Sequence, residues 1–307
     1  MLIQGDCLKI LKTLNEGSVN CCVTSPPYWG LRDYGVSEQL GLEKSPLEYV
    51  ERMVEVFSEV RRVLRSDGTL WLNLGDCYAS AGGAGWQGKH VARADRTHTQ
   101  RNLKRRSAVY GLKPKDLVGI PWRVAFALQA DGWWLRSEII WHKSNCLPES
   151  VTDRPTKAHE QIFLLAKSKA YFFDMDAIRE PHAADSLRRT KRKFVYKHKP
   201  PGQTAHTLTP DGFCHPKGKN KRSVWKVSTK PFKGAHFATF PEALIEPCIL
   251  AGSPAGGTIL DPFLGSGTTA VVAHKLGREF VGIELNPAYV TMAEERLRSV
   301  QMEMSLK

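Results

Sequence analysis

Thr258-Ile-Leu-Asp-Pro-Phe-Leu-Gly-Ser-Gly-Thr-Thr269, read with Glu279-Phe-Val-Gly-Ile-Glu284 behind it, decides the fold. Residues 258–260 form a short apolar strand. The turn after it carries Gly265 and Gly267, which let the backbone pack closely against a ligand at a helix N-terminus. That helix is expected to reach Leu276, with Gly277 as its cap. Residues 279–284 are then a second strand, and Glu284 follows Gly267 by 17 positions. An acid at the tip of that strand is placed to accept hydrogen bonds from two ribose hydroxyls. The third glycine of the dinucleotide fingerprint is absent, as is a Walker lysine, which favours a nucleoside over a pyrophosphate ligand. A plain strand–turn–helix joint with a surface glutamate is the competing reading.

A second stretch ends another strand. Residues 19–24, Val-Asn-Cys-Cys-Val-Thr, run into Ser25-Pro26-Pro27-Tyr28. Neither proline can donate to a ladder, so the strand stops there in a stiff turn. The turn offers one hydroxyl, one aromatic ring and the Pro26 carbonyl, a set able to grip a flat polar group. The alternative is a strand end with a proline-rich loop.

Strands alternate with helices along most of the chain. Further strands are expected at 2–6, 69–74, 133–141 and 160–166, and further helices at 7–14, 45–64, 116–129, 240–252 and 286–300. Ser45, Pro46 and Glu48 make a capping-box helix start. This alternation predicts an α/β fold, a mostly parallel, doubly wound sheet with helices on both faces and ligands at the strand carboxyl ends. Residues 79–111 read as a long loop. From about 171 to 234 the composition turns basic and poor in aliphatics, as in an inserted module.

The 307 residues carry a net charge of +13. Residues 89–106 hold seven Lys/Arg against one Asp, and residues 185–233 hold fourteen against two, so the remaining chain is at −5. Two concentrated basic runs on an acidic body point to a polyanion partner. Seven cysteines without a Cys-x-x-Cys pair argue against a disulfide framework or a zinc site and for a reducing, cytoplasmic setting. No membrane span, signal peptide or metal site is expected.

The Asp261–Thr269 motif resembles the S-adenosylmethionine-binding motif of the amino-methylating DNA methyltransferases, and Thr24-Ser-Pro-Pro-Tyr28 resembles their catalytic motif. The catalytic motif comes first here, the circularly permuted order of the β group. Gly5-Asp6, the Trp141-His-Lys-Ser-Asn145 segment through Pro148, Arg154 and His159-Glu160, and Phe237-Ala-Thr-Phe-Pro241 fit the same pattern. The resemblance implies a Rossmann-like methyltransferase fold: a catalytic part at 1–169, a target-recognition region at 170–236 and a cofactor-binding part at 237–307. It implies S-adenosylmethionine as cofactor, held by Asp6, Phe240, Pro241, Asp261, Pro262, Phe263, Gly265, Ser266, Gly267, Thr268, Thr269 and Glu284. It assigns catalysis to Ser25, Pro26, Pro27 and Tyr28. Double-stranded DNA is the implied partner, contacted by Trp29, Arg32, Arg101, Lys104, Arg105, Arg106, Lys143, Arg188, Arg189, Lys191, Arg192 and Lys193. A cognate restriction endonuclease, or none, and a monomer or homodimer are left open.

The residues suggest how such a site works. An exocyclic amine is a poor nucleophile because its lone pair is delocalised into the ring. Ser25 and the Pro26 carbonyl are the acceptors for its hydrogens, Tyr28 can stack on the base, and the base must first leave the duplex. Ser-Pro-Pro-Tyr goes mostly with N4 of cytosine in this family, and Asp- or Asn-Pro-Pro-Tyr with N6 of adenine, so N4-cytosine is the expected target and N6-adenine the alternative. Cytosine C5 methylation would need a cysteine nucleophile, and Cys248 of Pro247-Cys248 reads as a core thiol inside a helix. An inactive DNA-binding module is disfavoured by the intact motifs, and an RNA or release-factor methyltransferase by the permuted order.

Overall fold

A computed structural model describes residues 1–31, 33–36, 38–79, 112–190, 214–229 and 240–305. Its strands are β1 (Leu2–Gln4), β2 (Val19–Thr24), β3 (Leu64–Leu74), β4 (Trp134–His142), β5 (His159–Ala166), β6 (Val224–Lys226), β7 (Thr258–Asp261) and β8 (Glu279–Glu284). Its helices are α1 (Cys7–Leu11), α2 (Pro46–Val63), α3 (Ile120–Ala130), α4 (Ala184–Thr190), α5 (Glu242–Gly252), α6 (Thr268–Lys275) and α7 (Pro287–Ser305).

All the strands lie in one sheet, ordered β1-β8-β7-β2-β3-β5-β4-β6. Only β5 runs against the rest. The expected mostly parallel sheet is therefore present, with one reversed strand set between β3 and β4. Strands β7 and β2 are neighbours, with Cys21 opposite Ile259 and Cys22 opposite Leu260. From β7 the chain winds through α6 to β8 on one side; from β2 it winds through α2 to β3 on the other. The carboxyl ends of β7 and β2 thus flank a topological switch point, where open α/β sheets bind ligands.

Apolar cores cover both faces of the sheet. On one face α2 and α3 bury Tyr49, Met53, Phe57, Val124 and Leu128 against Leu70, Leu72 and Phe163. On the other, α5 buries Leu244, Cys248 and Ile249 against Cys21, Val23 and Trp71. The start of α2 is as its sequence dictates: Ser45 Oγ accepts from Glu48 N at 3.0 Å, and Pro46 occupies the first turn.

Helix α1 ends at Leu11 rather than at 14 and β1 at Gln4 rather than at 6, and three further elements differ from expectation. Strand β3 begins directly at Leu64, and Ser66-Asp67-Gly68, expected to end α2, lies inside it. Val19 pairs with Leu64 but Cys21 with Thr69, so the extra residues are absorbed as an irregularity in the strand. The helix placed at 116–129 starts only at Ile120. The basic stretch from 171 to 234 adds β6 to the sheet beside β4. Phe173, Ile178 and Trp225 from that stretch pack into the second core, and Trp225 lies 6.4 Å from Trp71 between ring centroids.

Candidate active site

Asp261 closes β7 beneath the turn that opens α6. It is 2 % exposed. One carboxylate oxygen accepts from Thr24 Oγ1 at 2.6 Å and from Phe263 N at 3.0 Å; the other accepts from Thr269 Oγ1 at 2.6 Å. The carboxylate thus ties β7, the last residue of β2 and the first turn of α6 into one unit. Burial pushes its pKa up to about 6, against the pull of these hydrogen bonds. It holds the two motifs together.

Ser266 and Thr268 are tied into the fold as well. Both are buried, and Arg296 of α7 donates to the Ser266 carbonyl at 2.6 Å, to its Oγ at 3.0 Å and to Thr268 Oγ1 at 3.1 Å. Thr269 is 1 % exposed and committed to Asp261. Gly267 has φ +85°, and a Cβ there would lie 2.8 Å from the Ala293 methyl. Its smallness allows the close packing against α7. Pro262 and Pro241 are buried, while Phe263 and Phe240 are half-buried against the cores.

Glu284, half-buried at the tip of β8, keeps the expected position. Its Oε2 accepts from Gly265 N at 2.8 Å and its Oε1 from Asn286 N at 2.7 Å. Burial raises its pKa. Asp6 stands at the tip of the adjoining β1 and caps α1 through Lys9 N at 2.8 Å. Each carboxylate oxygen has a second lone pair, so two acids at adjacent strand tips can receive hydroxyl groups. The Gly265 turn stands beside Glu284, with half-buried Phe263 two residues before Gly265 in the chain. This pair of acceptors suits a ribonucleoside. A cavity of about 660 Å³ opens farther along this flank between α1, α2 and residues 38–43, and of the expected residues it includes only Asp6.

The Ser25–Tyr28 turn caps β2 in the crevice. Tyr49, fully buried on α2, donates its hydroxyl to the Pro27 carbonyl at 2.9 Å. Among the described residues no donor reaches the Pro26 carbonyl. Ser25 is half-buried, and its Oγ donates to Tyr28 Oη at 3.2 Å. Tyr28 Oη donates to Glu160 Oε2 at 2.8 Å, with Asn73 Oδ1 at 3.3 Å. Its ring rests on Gly75, where a Cβ would come within 2.5 Å of it. Burial first, then the Glu160 charge, pushes the Tyr28 pKa well above the ordinary range.

Sequence reasoning gave Glu160, Asn73, Gly75 and Tyr49 no role in this turn. The signals were present but local patterns do not assign them: an acid opening β5, and an Asn-x-Gly closing β3. Lys143, expected on DNA, pairs with Glu160 Oε1 and lies 4.4 Å from the Trp141 ring centre. Trp29, also expected on DNA, is 7 % exposed and donates its indole N–H to the Glu43 carbonyl at 3.1 Å. Arg188 is exposed and paired with Asp185 on α4. Arg189 lies on α4 as well. Arg32, Arg101, Lys104, Arg105, Arg106, Lys191, Arg192 and Lys193 lie outside the described residues. Cys248 is 1 % exposed on α5 and burial drives its thiol pKa well up, consistent with a core thiol.

The DNA methylase family pattern matches residues 19–295. Type II methyltransferase M.Cfr9I of Citrobacter freundii is 50 % identical over 302 residues, covering 97 % of this chain and 87 % of that protein. Type II methyltransferase M.SmaI of Serratia marcescens is 47 % identical over 296 residues, covering 96 % and 90 %. Among solved structures, PvuII DNA methyltransferase (cytosine-N4-specific) superposes with a TM-score of 0.63 at 18 % identity, covering 98 % of this chain and 89 % of that one. A DNA modification methylase of Thermus thermophilus, solved complexed with S-adenosyl-L-methionine and titled putative, superposes with a TM-score of 0.58 at 22 % identity, covering 97 % and 95 %. With its catalytic turn ahead of its glycine turn on one continuous sheet, the chain belongs to the DNA methylase family, in the β group of amino-methylating N4-cytosine/N6-adenine enzymes.

Proposed function

We propose that this protein transfers a methyl group from S-adenosylmethionine to the exocyclic N4 of cytosine in duplex DNA, with the target base turned out of the helix. The observation that carries the reading is Ser25 at the tip of β2, beside a Pro26 carbonyl with no donor from the described residues. Together they offer two neutral acceptors to an amine. Each accepted N–H draws the amine out of conjugation and aims its lone pair; most of the acceleration is positioning. The ring of Tyr28, braced on Gly75, faces the base. Glu284, Asp6, Phe263, Gly265, Phe240 and Pro241 are the residues that would hold the cofactor, which supplies an activated methyl on a sulfonium. A base must leave the stack to reach this crevice. We assign phosphate contacts to the basic segments and target recognition to residues 170–236.

A neutral hydroxyl at the first position of the turn favours cytosine, whose amine sits next to the N3 acceptor, over adenine, for which the family uses a stronger acidic acceptor. PvuII DNA methyltransferase, cytosine-N4-specific by its name, has the same fold. Nucleoside analysis of DNA from cells expressing the protein tests the choice. N4-methylcytosine is expected; N6-methyladenine alone would replace the assignment with the adenine reading.

A further inference from the structure

The catalytic turn does not end at Tyr28. A directed chain of hydrogen bonds leads from Ser25 Oγ to Tyr28 Oη at 3.2 Å and on to Glu160 Oε2 at 2.8 Å. Hydroxyls are ambivalent: each donates one proton and accepts at its lone pairs. The direction of such a chain is therefore set by whatever stands at its closed end. Here that end is acceptor-only. A carboxylate has no proton to give, and Glu160 is already surrounded by donors: Lys143 Nζ on Oε1, and Asn73 Nδ2 on Oε2 at 3.2 Å. Asn73 also gives Nδ2 to the Gln161 carbonyl at 3.1 Å, which fixes its amide and turns Oδ1 toward Tyr28. Tyr28 thus faces two acceptors with its single proton. It can meet Ser25 only as an acceptor.

We propose that Glu160, held in place by Lys143 and Asn73, is a positioning residue that sets the polarity of this chain, so that Ser25 presents lone pairs and not its proton to the incoming amine. The proposal rests on the reading of the site as one that methylates an exocyclic amine, and it holds for cytosine N4 and adenine N6 alike. With the chain reversed, Tyr28 would donate to Ser25, and Ser25 would point its own proton at a group that also donates. The high ionisation threshold of the buried Tyr28 hydroxyl keeps its proton available for Glu160. The arrangement also explains why Lys143 is turned inward rather than toward a phosphate.

Glu160→Gln is the sharpest test, because it preserves shape and supplies an amide N–H that can donate to Tyr28. Single-turnover methyl transfer should fall by about a hundredfold, the scale of losing one oriented hydrogen bond at a reacting group. KM for DNA and cofactor affinity should be unchanged. Glu160→Asp, which restores an acceptor-only end, should recover much of the rate. Tyr28→Phe cuts the chain, so Tyr28→Phe/Glu160→Gln should be no slower than Tyr28→Phe alone. A wild-type rate in Glu160→Gln would overturn the inference, and so would additive losses in the double variant. A loss in Glu160→Gln matched by an equal loss in Glu160→Asp would indicate a packing role and overturn it too. Wild-type protein that methylates no amine would instead remove the functional reading on which the inference stands.

Discussion

Asp261 shows what a single residue costs when it serves as a clamp. Its carboxyl is fully enclosed and its pKa stands at about 6 instead of 3.8. The folded chain therefore keeps a proton at a pH where the unfolded chain has released it, and stability falls as pH rises through that window. The full penalty is roughly 3 kcal/mol, of which about 1 kcal/mol develops between pH 5 and pH 7. Asp261→Asn keeps an acceptor for Thr24 and a donor for Thr269 but cannot ionise. Urea unfolding at the two pH values should show the wild type losing about 1 kcal/mol relative to the variant as pH rises; parallel curves would refute the clamp's titration. Side-chain roles were the least legible part of the sequence. Asp261, Ser266 and Thr268 sit in a motif that looks ligand-facing, yet their partners Thr24 and Arg296 come from β2 and α7. The pair of Lys143 with Glu160 was not legible because β4 and β5 bring the two together only by strand pairing. No local pattern encodes such meetings.

At the scale of elements the sequence spoke more clearly where its signals are local. The β7–α6–β8 unit was legible from a strand, a glycine turn, a helix and a second strand, and β8 has the expected bounds. The start of α2 was legible from Ser45, Pro46 and Glu48. The pairing of β2 with β7 followed from topology. What escaped was the irregular start of β3, where Asp67-Gly68 imitates a helix stop, and β6, a three-residue edge strand in basic chain. Its place depends on Trp225 reaching Trp71 across the sheet. Glycines test how the elements meet. At Gly267, φ is +85° and a Cβ would press to 2.8 Å of Ala293, so Gly267→Ala should destabilise the fold by about 1–3 kcal/mol in thermal or urea unfolding. At Gly75 the obstacle is the Tyr28 ring itself, 2.5 Å from a Cβ. Gly75→Ala should displace the ring at a cost of about 1–3 kcal/mol in unfolding, and lower methyl transfer on the order of a hundredfold. An active Gly75→Ala enzyme would mean that the ring need not rest there.

For the molecule as a whole, net charge overstates what is free to meet a polyanion. The run from 185 to 233 holds fourteen basic residues. Yet Lys217 pairs with Asp176 at 2.9 Å, and Lys219 and Lys221 pair with Glu180 at 3.6 and 3.4 Å. Arg179 and Lys217 together pull the Asp176 carboxyl down to about 2. These three lysines are engaged by the chain's own acids and knit residues 217–221 to residues 176–180. Lys191, Arg192 and Lys193 have no acid within seven positions after them or five before them in sequence, a local excess of charge suited to an external polyanion. Each phosphate contact contributes about 0.9 to the slope of log affinity against log salt concentration. Replacing Lys191, Arg192 and Lys193 by alanine should therefore flatten that slope by up to about 3 on a mixed-sequence duplex. Replacing Lys217, Lys219 and Lys221 should leave it near the wild-type value and lower thermal stability instead. Equal slopes for the two triple variants would show that the basic run acts through its total charge rather than through Lys191, Arg192 and Lys193 in particular.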